Sequence, residues 1–230
     1  MLESLNDKQR VAYYAAHQIH DGMIVGLGTG STANYFIDEL AKRHIEGLKV
    51  KTVSSSIISS NRAQQMGLSV LSMEHIQRID VYVDGADEVS PSMALLKGRG
   101  SDLVREKLLA NASDEFIVLV DNSKLVERIG QNYPIPIEVA PFSWEMVSQS
   151  LLKLGGKGGL RPNGDGLAVT SHGSLVLDMT FDPSLDSQAL NDMLNSIPGV
   201  VEHGIFEKLA THILIGENEQ ITHMTNSTKL

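Results

Sequence analysis

Met23-Ile24-Val25-Gly26-Leu27-Gly28-Thr29-Gly30-Ser31-Thr32 is the stretch on which the fold turns. Met23 to Val25 read as a short strand, the glycines at 26, 28 and 30 as a tight turn, and Ala33 to His44 as the following helix. A strand, glycine turn and helix in that order aim backbone N–H groups and the positive end of a helix dipole at an anion. The spacing is G-x-G-x-G, so the dinucleotide fingerprint G-x-G-x-x-G is missed, and no lysine directly precedes Ser31 or Thr32 as a P-loop requires. Two readings stay open at this point: a plain tight turn, or a loop of three glycines and three hydroxyls suited to a terminal phosphate.

Downstream, Val50 to Val53 form a second strand ending in Ser54-Ser55-Ser56. A dinucleotide site usually carries an acidic residue at that distance for the ribose hydroxyls. Serines stand there instead and read mainly as a helix cap for 57–66. Ile79 to Val83 and Phe116 to Val120 are further apolar strands, running into Asp84-Gly85-Ala86-Asp87-Glu88 and Asp121-Asn122-Ser123-Lys124. Upstream, residues 5–20 have helical periodicity and carry Lys8 in the first turns. Apolar strands with polar or glycine carboxyl ends, alternating with helices, predict a parallel, Rossmann-like open α/β sheet with ligands at that edge.

The pattern changes near Tyr133-Pro134-Ile135-Pro136. Strands at 137–139, 167–170, 175–181 and 200–206 with helices at 143–154 and 187–197 give β-α-β-β-α-β, a ferredoxin-like α+β domain. The glycine run Gly155 to Gly159 reads as a flexible turn. The expected division is a catalytic domain of 1–130 plus about 207–230, and a small domain of 131–206. Segments 211–215 and 220–224 either rejoin the first sheet or pair as a hairpin; the sequence leaves both open.

The 230 residues carry a net charge of −9 with no basic block, which argues against nucleic acid or an anionic membrane as partner. With no cysteine, thiolate nucleophiles and disulfides are excluded. The chain has no run of about 20 apolar residues and no apolar leader core, so a cytoplasmic location is expected. No metal motif stands out among the eight histidines, and no cofactor is called for.

Three carboxylates and a lysine gather around the third strand: Asp84, Asp87, Lys97 in Lys97-Gly98-Arg99-Gly100, and Glu106, three residues from Leu103 and from Leu109 on the next helix. A solvated acidic turn and surface helix is the plain alternative. Metal-free aldose–ketose isomerisation needs such parts. A carboxylate at the edge of an apolar face, Glu106, can serve as base between adjacent carbons. Lys97 beside glycine N–H groups can stabilise enediolate charge. Asp84 and Asp87 are candidates to serve the sugar oxygens, their proximity pushing their pKa values apart. Thr29, Gly30, Ser31 and Thr32 would anchor a phosphate, with Lys8 adding charge.

These segments, in this order and at these separations, resemble the signatures of type A ribose-5-phosphate isomerase. Ser54-Ser55-Ser56, Lys124, Lys153-Leu154-Gly155-Gly156 and Ile197-Pro198-Gly199-Val200-Val201 extend the resemblance over nearly the whole chain. It implies interconversion of ribose 5-phosphate and ribulose 5-phosphate in the non-oxidative pentose phosphate pathway, by a cytoplasmic, metal-free homodimer with a Rossmann-like and a ferredoxin-like domain. It implies Glu106 as general base, with Thr29 to Thr32, Asp84, Gly85, Ala86, Asp87, Lys97, Gly98, Arg99, Gly100 and Lys124 lining the substrate site and Lys8 at a phosphate-contacting position. The chain departs from the family's pattern at Ser171-His172-Gly173-Ser174 and in a longer segment after Arg161, both expected to lie away from the chemistry. A sugar-phosphate sensor would need a DNA-reading module that the acidic chain lacks. A coenzyme A transferase with a glutamate nucleophile would differ by forming a covalent thioester.

Overall fold

The structure, a computed structural model, describes residues 5–100 and 102–226. In chain order the elements are α1 (Asp7–Ala16), β1 (Ile24–Leu27), α2 (Ser31–Ile45), β2 (Lys51–Ser54), α3 (Ile57–Gln65), β3 (Ser69–Val70), β4 (Ile79–Asp84), β5 (Glu88–Val89), β6 (Leu95–Leu96), α4 (Leu103–Ala112) and β7 (Ser113–Asp121). There follow β8 (Ile135–Val139), α5 (Trp144–Lys153), β9 (Lys157–Leu160), β10 (Pro162–Asn163), β11 (Gly166–Leu167), β12 (Leu175–Thr180), α6 (Ser187–Asn195), β13 (Val200–His203), β14 (Ile205–Phe206), β15 (His212–Glu217) and β16 (Gln220–Thr225). Two compact units share them. The first takes the described residues up to Ala86, Arg105–Lys124 and those from Leu209 onward; the second takes Asp87–Val104 and Leu125–Lys208.

The first unit is a seven-stranded sheet in the order β16-β15-β7-β4-β1-β2-β3, parallel except for β16. Its six parallel strands have the doubly wound Rossmann order, whose direction of winding reverses between β1 and β4. Alternation along each strand sorts the side chains. Val25, Leu27, Val81 and Val83 join a core with Val11, Ala12 and Ala15 of α1 and Phe36, Ile37 and Leu40 of α2. The α1 helix starts on a reciprocal cap in which the Gln9 amide donates to Asn6 Oδ1 and the Asn6 amide to Gln9 Oε1. Segments 211–215 and 220–224 do both things left open by the sequence: β15 adds parallel to β7, and β16 folds back on β15 as a hairpin.

The second unit contains a four-stranded antiparallel sheet, β13-β8-β12-β9. The β12 strand lies between β8 and β9, the split βαβ arrangement of a ferredoxin-like fold. Its core joins Ile137 and Val139 with Val147 and Leu151 of α5 and Leu190 and Leu194 of α6. The second strand of the motif is β9, in the run read as a flexible glycine turn, and not 167–170, where Leu167 pairs with Pro162 in the β10–β11 hairpin and Val169 makes an isolated bridge to Leu175. Glycine is what permits the strand. Gly158, at φ +150°, lies so close to the Asp178 carbonyl that a Cβ would overlap it.

Residues 87–104 and 125–130 group with the second unit, whereas the sequence reading placed them before a boundary at 131. Two features account for this grouping. The two-residue strand β6 pairs with β5 on one side and β14 on the other, in a sheet too short to leave a periodic signal. Glu88, fully buried, accepts backbone N–H bonds from Gly130, Asn132 and Tyr133 at 2.6–3.0 Å.

Candidate active site

Register places Tyr82 of β4 opposite Phe116 of β7, and the rings stack with centroids 4.8 Å apart. Asp84, two residues on, shares Tyr82's face, and the Tyr82 hydroxyl donates to Asp84 Oδ2. Asp84 Oδ1 accepts from the Thr29 amide at 3.0 Å and from the Gly85 amide at 2.7 Å. The carboxyl group is fully buried and fills the space beside residue 28, where a Cβ would overlap it. The glycine turn after β1 and the carboxylate at the end of β4 therefore form one object, at the point where the sheet's winding reverses. Open α/β sheets bind ligands in that crevice.

The turn is fixed further from its own side. The Gly28 amide donates to Val83 O at 2.8 Å, and Ser59 Oγ to Gly28 O at 2.6 Å. Thr29 Oγ1 lies 3.0, 2.7 and 3.1 Å from the hydroxyls of Ser55, Ser56 and Ser59. The Ser54–Ser56 run does more than cap α3, on which Ser56 Oγ accepts from the Ser59 amide. It occupies Thr29's hydroxyl. Gly30 and Ser31 are exposed where α2 begins, and Thr32 is mostly buried. The first amides of a helix have no partners within it, so this end suits an anion.

Glu106 lies in the first turn of α4 and is 5% exposed. Arg105 Nη2 ties the same turn to Ser54 O at 3.1 Å. The Tyr82 phenol is raised well above its ordinary pKa, first by burial and then by the negative charges of Asp84 and Glu106. Asp84 and Glu106 are thus both within electrostatic reach of Tyr82. Tyr82 was not singled out from the sequence, although the alternation of β4 puts it beside Asp84.

Lys8 and Lys124 converge on Asp121 at the carboxyl end of β7. Lys8 Nζ lies 3.7 Å from Asp121 Oδ2. Burial pushes the Asp121 carboxyl up, but the Ser123 hydroxyl and amide and both ammonium groups outweigh it and hold it below the usual aspartate value. Asn6, Asp7, Lys8, Asp121, Ser123 and Gly216 help to line a cleft of about 530 Å³.

Of the other expected site residues, Gly85 and Ala86 end the first segment of the first unit, whereas Asp87 and Lys97 to Gly100 belong to the second unit. Asp87 is half-buried, and its amide donates to Leu96 O at 2.8 Å. Lys97 is 4% exposed; its amide donates to Gly204 O at 2.8 Å and its ammonium lies 5.7 Å from the Phe206 ring centroid. Arg99 stacks over Tyr133 at 4.1 Å. Gly98, at φ +93°, faces Leu103 so closely that no side chain fits. The divergent hairpin is not remote from this loop, because Ser171 Oγ donates to Asp102 Oδ1 at 3.0 Å just before α4. Among the described residues, no three His, Asp or Glu are grouped as a metal ion would need, and no helix is long and apolar enough to cross a membrane.

Comparison with known proteins gives a consistent result. Residues 51–220 match the model of the family described as ribose 5-phosphate isomerase A (phosphoriboisomerase A). The ribose-5-phosphate isomerase A of Thermococcus kodakarensis is 44% identical over 221 residues, 94% of this chain and 96% of that protein. The solved ribose 5-phosphate isomerase A of Methanocaldococcus jannaschii superposes with a TM-score of 0.90 at 35% identity, covering 96% of this chain and 98% of the other. A D-ribose-5-phosphate isomerase in complex with phospho-erythronic acid gives 0.91 at 37% identity and the same coverage.

Proposed function

The chain belongs to the ribose-5-phosphate isomerase A family and is an aldose–ketose isomerase; from that premise we propose that it interconverts D-ribose 5-phosphate and D-ribulose 5-phosphate through an enediolate, without a metal, in the non-oxidative pentose phosphate pathway. The observation that carries the mechanism is the buried Glu106 carboxylate in the Tyr82–Asp84 cluster, at the end of the sheet where the glycine loop stands. Glu106 takes the proton from C2 of the aldose and returns it to C1, the electron pair passing through the enediolate. Lys97 stabilises the charge that develops on oxygen. Gly30, Ser31 and Thr32 anchor the phosphate, with Lys8 and Lys124 as further cationic contacts, so binding energy remote from the reacting carbons is available for catalysis.

We assign the two aspartates different parts. Asp84, fully buried, accepts from Thr29, Gly85 and Tyr82, which suits it to hold the loop. Asp87, half-buried, is the acid/base for the sugar oxygens and for ring opening. The relative that binds phospho-erythronic acid, a phosphorylated sugar acid whose carboxylate is shaped like the enediolate oxygens, supports this reading. Family membership supports a cytoplasmic homodimer that uses no cofactor, nucleic acid or membrane.

The test is ketose formation from ribose 5-phosphate in EDTA by wild type and Glu106→Gln. Wild-type turnover should persist, and the folded variant should lose about 10²–10⁴-fold in kcat. Activity retained in the variant would remove Glu106 as base; loss of wild-type activity in EDTA with recovery on adding a divalent ion would refute the metal-free route.

A further inference from the structure

Arg161 follows β9 and has no part in the mechanism above, yet its side chain bonds to both a carboxylate and two backbone carbonyls. Its Nε and Nη2 grip Asp178 of β12 in a two-pronged ion pair at 2.8 and 2.7 Å. Its backbone is pinned as well, the amide donating to Val176 O at 2.8 Å and the carbonyl accepting from the Ala168 amide at 2.9 Å. The side chain is 14% exposed, and its guanidinium is a planar group in a fixed place. Its remaining prong, Nη1, reaches two successive carbonyls, Gly98 O and Arg99 O, each at 3.2 Å.

Those carbonyls belong to the segment that follows Lys97. A trans peptide sets C=O and N–H on opposite sides. Capturing both oxygens therefore turns the Arg99 and Gly100 amides away from Arg161. Gly98, at φ +93°, takes a backbone conformation that glycine adopts at no steric cost, so the hydrogen bonds around it set the peptide planes. Upstream, the Lys97 amide is held by Gly204 O at 2.8 Å. The lysine's backbone is thus fixed on one side by Gly204 and on the other by Arg161.

We infer that Arg161, braced by Asp178, is a positioning residue for isomerisation: it sets the peptide planes after Lys97 and thereby the placement of the Lys97 ammonium and the neighbouring N–H donors against developing enediolate charge. The inference rests on the proposed reaction. Lysine cannot replace arginine here, because an ammonium lacks the rigid fork that meets a carboxylate and two carbonyls together.

The experiment compares wild type, Arg161→Gln, Arg161→Lys and the core variant Leu194→Ala, all confirmed folded at the assay temperature. Leu194 is fully buried in the same unit and lies outside the substrate machinery, so it reports plain destabilisation. Arg161→Gln should lower kcat by about 10- to 100-fold, as small misplacements of catalytic groups do, with KM changed less than about threefold. Arg161→Lys should recover only a small part of the loss, and Leu194→Ala should keep wild-type kcat. Hydrogen exchange of the peptide covering Lys97 to Gly100 should quicken in both Arg161 variants and not in Leu194→Ala. A wild-type kcat in Arg161→Gln, an equal kcat loss in Leu194→Ala, or unchanged exchange at Lys97 to Gly100 would each overturn the inference. If wild type fails to isomerise ribose 5-phosphate, the proposed reaction falls and positioning of a catalytic lysine falls with it, whereas exchange still decides whether Arg161 holds the loop.

Discussion

Replacing Gly28 with alanine puts a methyl group where the Asp84 carboxyl now stands, since a Cβ on residue 28 would overlap that group and lie 2.5 Å from Asp84 Cβ. One of the two must move. Asp84 cannot swing aside without leaving the Thr29 amide, the Gly85 amide and the Tyr82 hydroxyl, and it is fully buried, so water cannot replace them. A hydrogen bond to a charged group contributes about 1.5–3 kcal/mol. With one of the three surviving after relaxation, Gly28→Ala should cost about 3–6 kcal/mol, a large share of the ~5–15 kcal/mol by which domains are stable. At a urea slope of about 3 kcal/mol per M, the upper end of the usual range and suited to a chain of this size, the midpoint should fall by about 1–2 M. The matched control is Gly22→Ala. Gly22 has φ +87° with nothing within 4 Å, so only the left-handed backbone penalty of about 1–2 kcal/mol applies. Equal midpoints for the two variants, with isomerase activity intact in Gly28→Ala, would refute the claim that Gly28 and Asp84 share one space.

Tyr82→Phe removes one donor from Asp84 and should destabilise by about 1.5–3 kcal/mol at pH 7. That gap should narrow above pH 10: wild type alone has a Tyr82 phenol that ionises on unfolding but is held protonated in the fold, and so loses stability as pH rises. Glu138 is raised above its usual value 4.5 chiefly by burial, against the Thr170 and Ser174 hydroxyls and the His172 charge that favour ionisation, with the Glu202 charge adding to the rise. The fold therefore retains the Glu138 proton longer than the unfolded chain, and stability should fall as pH rises past about 4.5 toward the raised value. Glu138→Gln should remove that fall, visible as a stability difference from wild type that grows with pH in urea titrations; a pH-independent difference would contradict it. Lys97→Ala should lower kcat far more than it raises KM, because enediolate charge develops mainly during reaction, and a pure rise in KM with unchanged kcat would count against the assigned role.

What the sequence made legible were features with a local period or a local punctuation mark. The apolar runs at Ile79 to Val83 and Phe116 to Val120 are central strands, and Gly26 to Gly30 is the turn into a helix. Glu106 beside Leu103 and Leu109 is buried on its helix as the spacing implied. What was not legible depends on partners distant in sequence. The β9 strand is hidden in Lys157-Gly158-Gly159-Leu160 because strand propensity counts against two glycines, of which Gly158 serves a close approach to Asp178. The β5–β6–β14 sheet rests on strands of two residues, and its β6–β14 pairing joins Leu95 and Leu96 to Ile205 and Phe206, far along the chain. The bracing of Lys97 to Gly100 by Arg161 has no sequence signature, since nothing local says which carbonyls a guanidinium will meet.

The hydroxyl cluster of Thr29, Ser55, Ser56 and Ser59 bears on timing as well as on shape. The polar side chain nearest the middle of the glycine turn spends its hydrogen-bonding capacity inside the protein before any ligand arrives. Ordering a rotamer-rich side chain on association costs about 0.5–1.5 kcal/mol, and ordering backbone costs comparably per residue. Here those freedoms are lost during folding, as the chain draws β1 and β2 together. An anion reaching Gly30 and Ser31 meets amides already at rest, so its arrival should register calorimetrically as desolvation and charge pairing with little conformational entropy lost.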